Sequence, residues 1–294
     1  MMAYVKNGKL NKKALFRSFA LTTKIGIRMT LPDLEIPSWD EKQKRDRLIG
    51  VSMTGWFDMV DALNLSMEEQ RELLIELRKV VRDTAKEFCA FLGINEPLLA
   101  TTVKPEGTIS QLPTVSSGIH RSHSRYYIRR VRISAHDPLA KVAMKLGYPT
   151  FPETGQTWEN ANTLVIEFPV ESPVKTTKFD VTAIEQLETY KMFQECYTEH
   201  NTSITVTVRE NEWDAVEQWV WDNWDSFVAV SFLPLDDAVY PLAPYEAIDE
   251  EEYLRRKAEM KPFDASLLSL FETGNGEDLD LGTESCEGGA CPIR

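Results

Sequence analysis

The sequence lacks any long apolar run. In 294 residues, no uninterrupted hydrophobic stretch approaches the ~20 residues that a helix needs to cross a bilayer. The start of the chain, Met-Met-Ala-Tyr-Val-Lys-Asn-Gly-Lys-Leu, also lacks the apolar centre of a secretory signal peptide. We therefore expect a cytoplasmic protein that does not bind a membrane.

Cysteine and histidine are scarce, with four of each. So few cysteines cannot form a disulfide scaffold for a chain of this length, and we interpret Cys89, in a segment with a helical pattern, as a packing thiol. His120 and His123 have the spacing of a metal pair. No acidic or thiol ligand accompanies them locally, so the sequence favours hydrogen-bonding or phosphate-side roles and predicts no metal site.

Basic residues are also in deficit, with 33 Lys and Arg against 46 Asp and Glu, a net charge of −13. A surface of this charge repels the phosphate backbone of nucleic acids, so we expect no direct binding to them. A small anionic substrate held at one basic patch is still compatible with this balance.

The composition is otherwise that of a soluble globular protein, 43% hydrophobic and 27% charged. Ser66 and Glu69 form a capping box, and the apolar residues that follow have helical spacing until Gly93. Phe91 is among the residues predicted to lie on the buried face of this helix. Between 41 and 63, a charged stretch leads into an apolar segment that also has a helical pattern.

Beyond residue 118, strand-like and helix-like segments alternate. Asp137 with Pro138, and then Asp180, are the predicted N-terminal caps of two of the helices. The predicted strands are 126–133, 163–168, 202–208 and 227–233, and the predicted helices are 139–146, 180–200, 210–223 and 245–260. This alternation predicts an α/β fold with mainly parallel strands and right-handed crossovers, either open or closed into a barrel.

One stretch differs from the acidic remainder. Pro105, Gly107, Thr108 and Ser110 are typical of a turn that presents backbone N–H groups and hydroxyls to an anion. Five arginines follow closely, which indicates local selection for a negatively charged ligand: Arg121, Arg125, Arg129, Arg130 and Arg132. The alternative is a surface loop followed by a solvated basic strand.

The end of the chain carries the other two cysteines. Cys286 and Cys291 are separated by four small or acidic residues, including two glycines that let the sulfurs meet at disulfide distance. Because acidic neighbours disfavour thiolate formation, the pair suits a carrier that exchanges with a buried disulfide better than an attacking nucleophile. Residues 272–294 are Gly- and acid-rich, so we expect a flexible redox tail after a domain spanning 1–271. The alternative is a disordered end with incidental cysteines.

Three stretches together resemble a known family. They are Ile-Gly-Val-Ser-Met-Thr-Gly-Trp at 49–56, Thr-Val-Lys-Pro-Glu-Gly-Thr-Ile-Ser-Gln-Leu-Pro-Thr-Val-Ser-Ser-Gly-Ile-His at 102–120, and the terminal Cys-Glu-Gly-Gly-Ala-Cys-Pro-Ile. They look like the C-terminal half of an adenosylcobalamin-dependent (class II) ribonucleoside-triphosphate reductase. The likeness runs from about residue 14 to the end of the chain.

The resemblance implies half of a ten-stranded α/β barrel, adenosylcobalamin as cofactor, and conversion of ribonucleoside triphosphates to deoxyribonucleotides. It further implies that Cys286 and Cys291 re-reduce an active-site disulfide and are themselves reduced by a thioredoxin-type partner. Arg121 and Arg125 become possible additional anion contacts. The substrate-phosphate loop that it implies consists of Pro105, Glu106, Gly107, Thr108 and Ser110.

One departure from the family pattern changes the interpretation. The family forms a thiyl radical on a cysteine in an Asn-Pro-Cys-x-Glu motif, and Cys89 and Cys196 lack the Glu two residues on. We therefore expect a split enzyme, in which a separate N-terminal half supplies that motif. An inactive remnant or a trimmed chain is an alternative. So are a fragment of an iron-dependent class I large subunit and a non-catalytic anion-binding α/β module.

Overall fold

A computed structural model describes residues 1–174, 176–235 and 240–272. Cys286 and Cys291 lie outside these residues. The described residues fold as two compact units, the first formed by 1–122, 172–174 and 176–235 and the second by 123–171 and 240–272. Among the described residues, no helix combines the length and the apolar character needed to cross a membrane.

Helices and strands alternate along the chain after an almost wholly helical first third. The helices are α1 (Lys12–Met29), α2 (Pro37–Asp46), α3 (Trp56–Leu63), α4 (Met67–Leu92), α5 (Pro138–Leu146), α6 (Ala183–Cys196), α7 (Trp213–Asp222) and α8 (Glu250–Glu259). The strands are β1 (Val5–Lys6), β2 (Lys9–Leu10), β3 (Tyr126–Ser134), β4 (Thr150–Pro152), β5 (Thr163–Glu171), β6 (Thr205–Val208), β7 (Ser231–Pro234) and β8 (Tyr245–Ile248). The α/β class is therefore confirmed, whereas the half-barrel stays a prediction.

Local capping signals set several of these boundaries. The capping box of Ser66 and Glu69 starts α4, and Gly93 ends it in the left-handed conformation, as the sequence predicts. The prediction that Phe91 lies on the buried face is wrong, because its side chain is 81% exposed. Asp137 caps α5 as expected.

The predicted cap of α6 is wrong. Asp180 accepts hydrogen bonds from the N–H and hydroxyl of Thr177, both at 2.8 Å, so its carboxylate closes a turn before the helix. Thr182 is the cap, because Glu185 lies three residues on and completes a capping box with it.

Parallel strand order is present in the first unit. Val51 bridges Thr101, and Val103 bridges Thr202, both in parallel orientation. Strand β6 continues from there and pairs in parallel with β7. Four segments thus run in parallel, and α4, α6 and α7 lie in the connections between them, which confirms the predicted parallel order for this unit.

The second unit differs, because all the strand pairs of its sheet are antiparallel, in the order β4-β5-β3-β8. The expectation of mainly parallel strands is wrong here. Strands β3 and β4 share a direction and are joined through α5, but β5 inserts between them in the opposite direction. The predicted helix 245–260 is wrong at its start, since Tyr245–Ile248 pairs with β3 as a strand and the helix begins only after Asp249.

A large apolar core fills the first unit. Leu74 and Leu77 of α4, Leu15 of α1 and Phe193 of α6 are all fully buried in it. Cys89 is also fully buried there, and burial raises the pKa of its thiol, which confirms its interpretation as a packing residue. The core of the second unit is much smaller and centres on Ala140, Ala143, Tyr148, Leu164 and Ile166.

Candidate functional site

Two of the stretches that carry the resemblance lie side by side in the first unit. The N–H of Ile49 donates to the carbonyl of Leu99 at 3.2 Å, and the N–H of Val51 donates to that of Ala100 at 2.8 Å. Thr102 then donates to the carbonyl of Val51 at 3.1 Å. This ladder places the segment 49–56 against the segment that leads into the candidate phosphate loop.

Two glycines make the close approach of these segments feasible. Gly55 has a φ of +69°, and a Cβ on it would lie 2.9 Å from the Val115 side chain. Gly118 has a φ of +53°, and a Cβ on it would lie 2.5 Å from the carbonyl oxygen of Lys104. Both positions therefore require glycine for conformation and for space.

The loop at 105–110 is a tight turn followed by a short 3-10 helix, Ile109–Gln111. Glu106 adopts the left-handed conformation at φ +56°, and its carbonyl accepts the N–H of Ser110 at 3.0 Å. Within the described part of the chain, the N–H groups of Gly107, Thr108 and Ile109 have no acceptor. A turn with three successive open N–H groups is suited to binding an anion.

The side chains of this loop differ in exposure. Thr108 is exposed, Pro105 and Glu106 are half-buried, and Gly107 and Ser110 are buried. The Ser110 hydroxyl lies 3.4 Å from the carbonyl oxygen of Gly107 and 3.3 Å from the hydroxyl of Ser117. Ser110 therefore supports the loop from within, and Thr108 is the side chain placed to meet a ligand.

The carboxylate of Glu106 belongs to the same surface. Burial raises its pKa, and a hydrogen bond from Ser52 opposes that rise. Ser52 also accepts the N–H of Lys104 at 3.1 Å. The hydroxyl of Ser52, in the segment 49–56, therefore contacts both the backbone N–H of Lys104 and the carboxylate of Glu106.

Asp58, which the sequence reasoning missed, holds the far side of this region. Its side chain is 3% exposed, and its carboxylate accepts the backbone N–H of Ser116 at 3.0 and 3.2 Å together with the Ser116 hydroxyl. Burial raises the pKa of Asp58, whereas these hydrogen bonds oppose the rise. The available signal was an acidic residue within the apolar run Trp56-Phe57-Asp58-Met59-Val60.

His120 is a hydrogen-bonding residue. Its Nδ1 lies 3.0 Å from the carbonyl oxygen of Ser117, and its Nε2 accepts the N–H of Thr205 at 2.9 Å, which requires the proton on Nδ1. Burial lowers the pKa of this imidazole. Over residues 1–174, 176–235 and 240–272, no three or more His, Cys, Asp or Glu side chains form a group that could hold a metal ion.

The two arginines predicted as anion contacts already have acidic partners. The guanidinium of Arg121 lies 3.7 Å from the ring centre of Phe57 and donates to Asp61 at 3.1 Å and to Thr176. Arg125 donates to Glu171 at 2.7 Å on an exposed surface of the second unit. An anion that used either guanidinium would compete with a carboxylate.

Arg130 and Arg132 have a different role from the one that their clustering indicates. Arg130 is buried and donates to Glu167 at 2.7 Å and to Glu246. Arg132 donates to Glu153. These two arginines therefore neutralise acids within the second unit, which corrects their interpretation as part of an anion-attracting cluster.

A cavity of about 380 Å³ lies beside His120 and Arg121 in the first unit. Its walls include Phe57, Ile119 and Ile184, and no local sequence pattern predicts it. The polar groups in the wall bond within the protein; Arg121, for example, pairs with Asp61.

Comparison with known proteins relates almost the whole chain to one group of enzymes. The adenosylcobalamin-dependent ribonucleoside-triphosphate reductase of Lactobacillus delbrueckii subsp. bulgaricus is 28% identical over 94% of this chain and 41% of its own length. The enzyme of the same name from Levilactobacillus brevis is 31% identical over 74% of this chain and 30% of its own length. No family model matches.

Solved structures agree with these relatives. A crystal structure of a B12-dependent class II ribonucleotide reductase superimposes with a TM-score of 0.78 at 25% identity, over 89% of this chain and 40% of that one. This chain resembles the C-terminal half of a class II ribonucleotide reductase. The class Id ribonucleotide reductase alpha subunit of Actinobacillus ureae has a TM-score of 0.51 at 11% identity and shows the shared fold alone.

The resemblance to class II reductases is thus confirmed, and the relatives' names agree with the expected cofactor, adenosylcobalamin. Relatives that match 94–95% of this chain are much longer than it is, and the chain spans 41% of their length. The roles of the phosphate loop, of Arg121 and Arg125, and of Cys286 and Cys291 stay predictions.

Proposed function

We propose that this chain is the C-terminal part of an adenosylcobalamin-dependent ribonucleoside-triphosphate reductase and that it binds the substrate's phosphates at loop 105–110. The supporting observation is the run of three open N–H groups in that loop, in a chain that matches such reductases over 94% of its length. In this proposal residues 1–271 form the barrel half, and residues 272–294 form the redox arm.

The loop would bind phosphate chiefly through its backbone. The N–H groups of Gly107, Thr108 and Ile109 would donate to phosphate oxygens, as at other anion-binding turns. The exposed hydroxyl of Thr108 would add a side-chain donor. Pro105 and Glu106 shape the turn, and Ser110 braces it through its contacts with Gly107 and Ser117.

The dithiol would return the active site to its reduced form. When Cys286 and Cys291 exchange with the active-site disulfide, their two thiols become one disulfide and the active-site pair gains the two electrons and two protons. A thioredoxin-type dithiol then reduces the arm by the same exchange. The radical-forming cysteine would come from the N-terminal half, in its Asn-Pro-Cys-x-Glu loop.

Adenosylcobalamin, when bound, would supply the radical that initiates the reaction. No described residue is assigned to the cofactor. The contribution derived for this chain is the binding and orientation of the substrate.

Reconstitution tests the proposed function. The chain and the product of the neighbouring reading frame, when combined, should convert ribonucleoside triphosphates to deoxyribonucleotides only with adenosylcobalamin and reduced thioredoxin. With Cys286→Ser, thioredoxin-driven turnover should stop, whereas a small dithiol that reaches the active site should still support it. Turnover that persists without adenosylcobalamin would favour a class I origin, and an inactive pair would favour a remnant or a binding module.

Titration with ATP tests the phosphate loop separately. Thr108→Ala removes an exposed hydroxyl and should weaken ATP binding by at least about tenfold, since one hydrogen bond to a charged group contributes roughly 1.5–3 kcal/mol. Thr22→Ala, at an exposed position of α1, is the matched control and should leave the affinity unchanged. Equal affinities for the two variants would exclude Thr108 as a phosphate contact.

A further inference from the structure

Asp58 occupies a costly position. It is a carboxylate with 3% exposure between Phe57 and Met59, which are both buried in the apolar core. A buried carboxylate loses its hydration, and the raised pKa of Asp58 reflects this loss. Packing alone would be served better by an apolar residue of similar size, so the carboxylate has another role.

The partner of this carboxylate leads directly to the candidate phosphate loop. Asp58 accepts both the N–H and the hydroxyl of Ser116. The next residue, Ser117, places its hydroxyl 3.3 Å from that of Ser110, and Ser110 in turn contacts the carbonyl of Gly107 at 3.4 Å. Two side-chain contacts therefore connect the segment that Asp58 holds to the loop with the open N–H groups.

A second side chain holds the same segment. The hydroxyl of Thr54 donates to the carbonyl of Ser116 at 3.1 Å and accepts the N–H of Gly118 at 3.0 Å. Asp58 binds the N–H and hydroxyl of Ser116, while Thr54 binds its carbonyl. The backbone at 116–118 is thus fixed on both sides, and small errors in the position of a binding loop are costly to function.

We infer that Asp58 is a positioning residue for the phosphate loop at 105–110 and acts on it through Ser116 and Ser117. The inference rests on the proposed function, because the loop must bind phosphate for its geometry to matter. Asp58 itself does not contact the ligand. It fixes the segment against which Ser110 and Gly107 are held.

The test compares ATP affinity with thermal stability in the full chain. Asp58→Asn keeps the shape but replaces one acceptor oxygen by a donor, so Ser116 loses part of its hold. We expect the Kd for ATP to rise about tenfold. Glu199→Gln is the control, because the Glu199 side chain is 7% exposed and also accepts a backbone N–H, that of Ala100 at 2.8 Å. Unlike Asp58, Glu199 is ion-paired, with Arg82. The Glu199→Gln variant should lower the Tm but leave the Kd within about twofold.

Two variants of Ser116 cover the case in which Asp58→Asn does not fold. Ser116→Ala removes the hydroxyl and should weaken ATP binding, whereas Ser116→Thr keeps the hydroxyl and should restore it. If Asp58→Asn leaves the Kd unchanged and lowers the Tm as Glu199→Gln does, the inference is wrong, but the proposed function of the loop still stands. Equal affinities of the two Ser116 variants would have the same meaning. Failure of the unaltered chain to bind ATP would overturn the proposed loop function and the inference together.

Discussion

The two units bury their charged groups for different ends. In the first unit the core is large and apolar, and the buried carboxylate of Asp58 holds a segment beside the candidate loop. In the second unit the apolar core is small, and buried Arg130 and Glu167 join strands of the sheet to one another. Arg256 of α8 also donates to Glu167, at 2.7 Å.

The role of a cluster of charged residues depends on the partners of its members. A buried ion pair in which each charge neutralises the other holds structural elements together, as in the second unit. Among the described residues, the hydrogen bonds to the Asp58 carboxylate come from the N–H and hydroxyl of Ser116, and such a carboxylate serves the geometry of the segment that it holds. The number of arginines in a stretch does not distinguish the two cases, whereas the identity of their partners does.

The largest effect is expected in the second unit. Glu167→Ala removes one of the two carboxylates that neutralise buried Arg130, and it also removes a partner of Arg256. It should lower the free energy of unfolding by about 4 kcal/mol, measured by denaturant titration. Replacing both residues together, with Arg130→Met and Glu167→Leu, should recover most of the loss. If the double variant is as unstable as the single one, the pair has a role beyond mutual neutralisation.

A comparable loss in the first unit should come from apolar packing. Leu77→Ala creates a cavity at a fully buried position of α4 and should cost about 3 kcal/mol in the same titration. Ile75→Ala, at a 55% exposed position of the same helix, is the control and should cost far less. Similar losses of stability in both variants would show that the stability of α4 depends more on helix propensity than on packing in the core.

A smaller loss, with a functional consequence, is expected at Gly118. Gly118→Ala forces a side chain onto a left-handed residue and against the carbonyl of Lys104, so we expect about 2 kcal/mol of destabilisation and weaker ATP binding. Gly93→Ala is also left-handed, but its Cβ would meet nothing within 4 Å. It should lower stability by about 1 kcal/mol and leave ATP affinity unchanged.

The smallest effect is a pH dependence that has opposite signs in the two units. Hydrogen bonds from Arg255 and then Arg256 lower the pKa of Glu252 from 4.5 to about 2, so its stabilising contribution is present above 4.5 and is lost as the pH falls towards 2. The pKa of Asp58 is raised by burial, so the stability linked to its protonation is present at low pH and is lost as the pH rises through that pKa.

Thermal midpoints of Glu252→Gln and Asp58→Asn, followed from about pH 6 to about pH 2.5, test this contrast. Relative to the unaltered chain, Glu252→Gln should lose less stability on acidification, and Asp58→Asn should lose more. Parallel curves for all three proteins would contradict both assignments.

The sequence predicted structural features that depend on residues close together in the chain. The capping box of Ser66 and Glu69 predicts the start of α4 correctly. The capping box of Thr182 and Glu185 is equally local and marks the start of α6, whereas Asp180 alone does not. Strand β8 was missed because its four residues become a strand by pairing with β3, a distant partner.

The candidate site could be predicted only in part for the same reason. The composition of Pro105, Gly107 and Thr108 indicated a turn, and the structure has one with open N–H groups. The hold of Asp58 on Ser116 spans 58 positions, and the pairing of Arg130 with Glu167 spans 37. Neither contact has a local signature, so the positioning carboxylate was missed and the arginines were assigned to a ligand.

Because four segments of the first unit run in parallel, their contacts join residues far apart in the chain. Those contacts cannot form until the later residue has been synthesised. Tyr197 donates to the carbonyl of Val51 at 2.9 Å across 146 positions, and Thr102 donates to that of Asn201 across 99. At ordinary rates of synthesis, Tyr197 is added on the order of ten seconds after Val51. Such long loops also slow folding itself, since their closure entropy is lost before the contacts form. The candidate loop would therefore acquire its final shape late in synthesis.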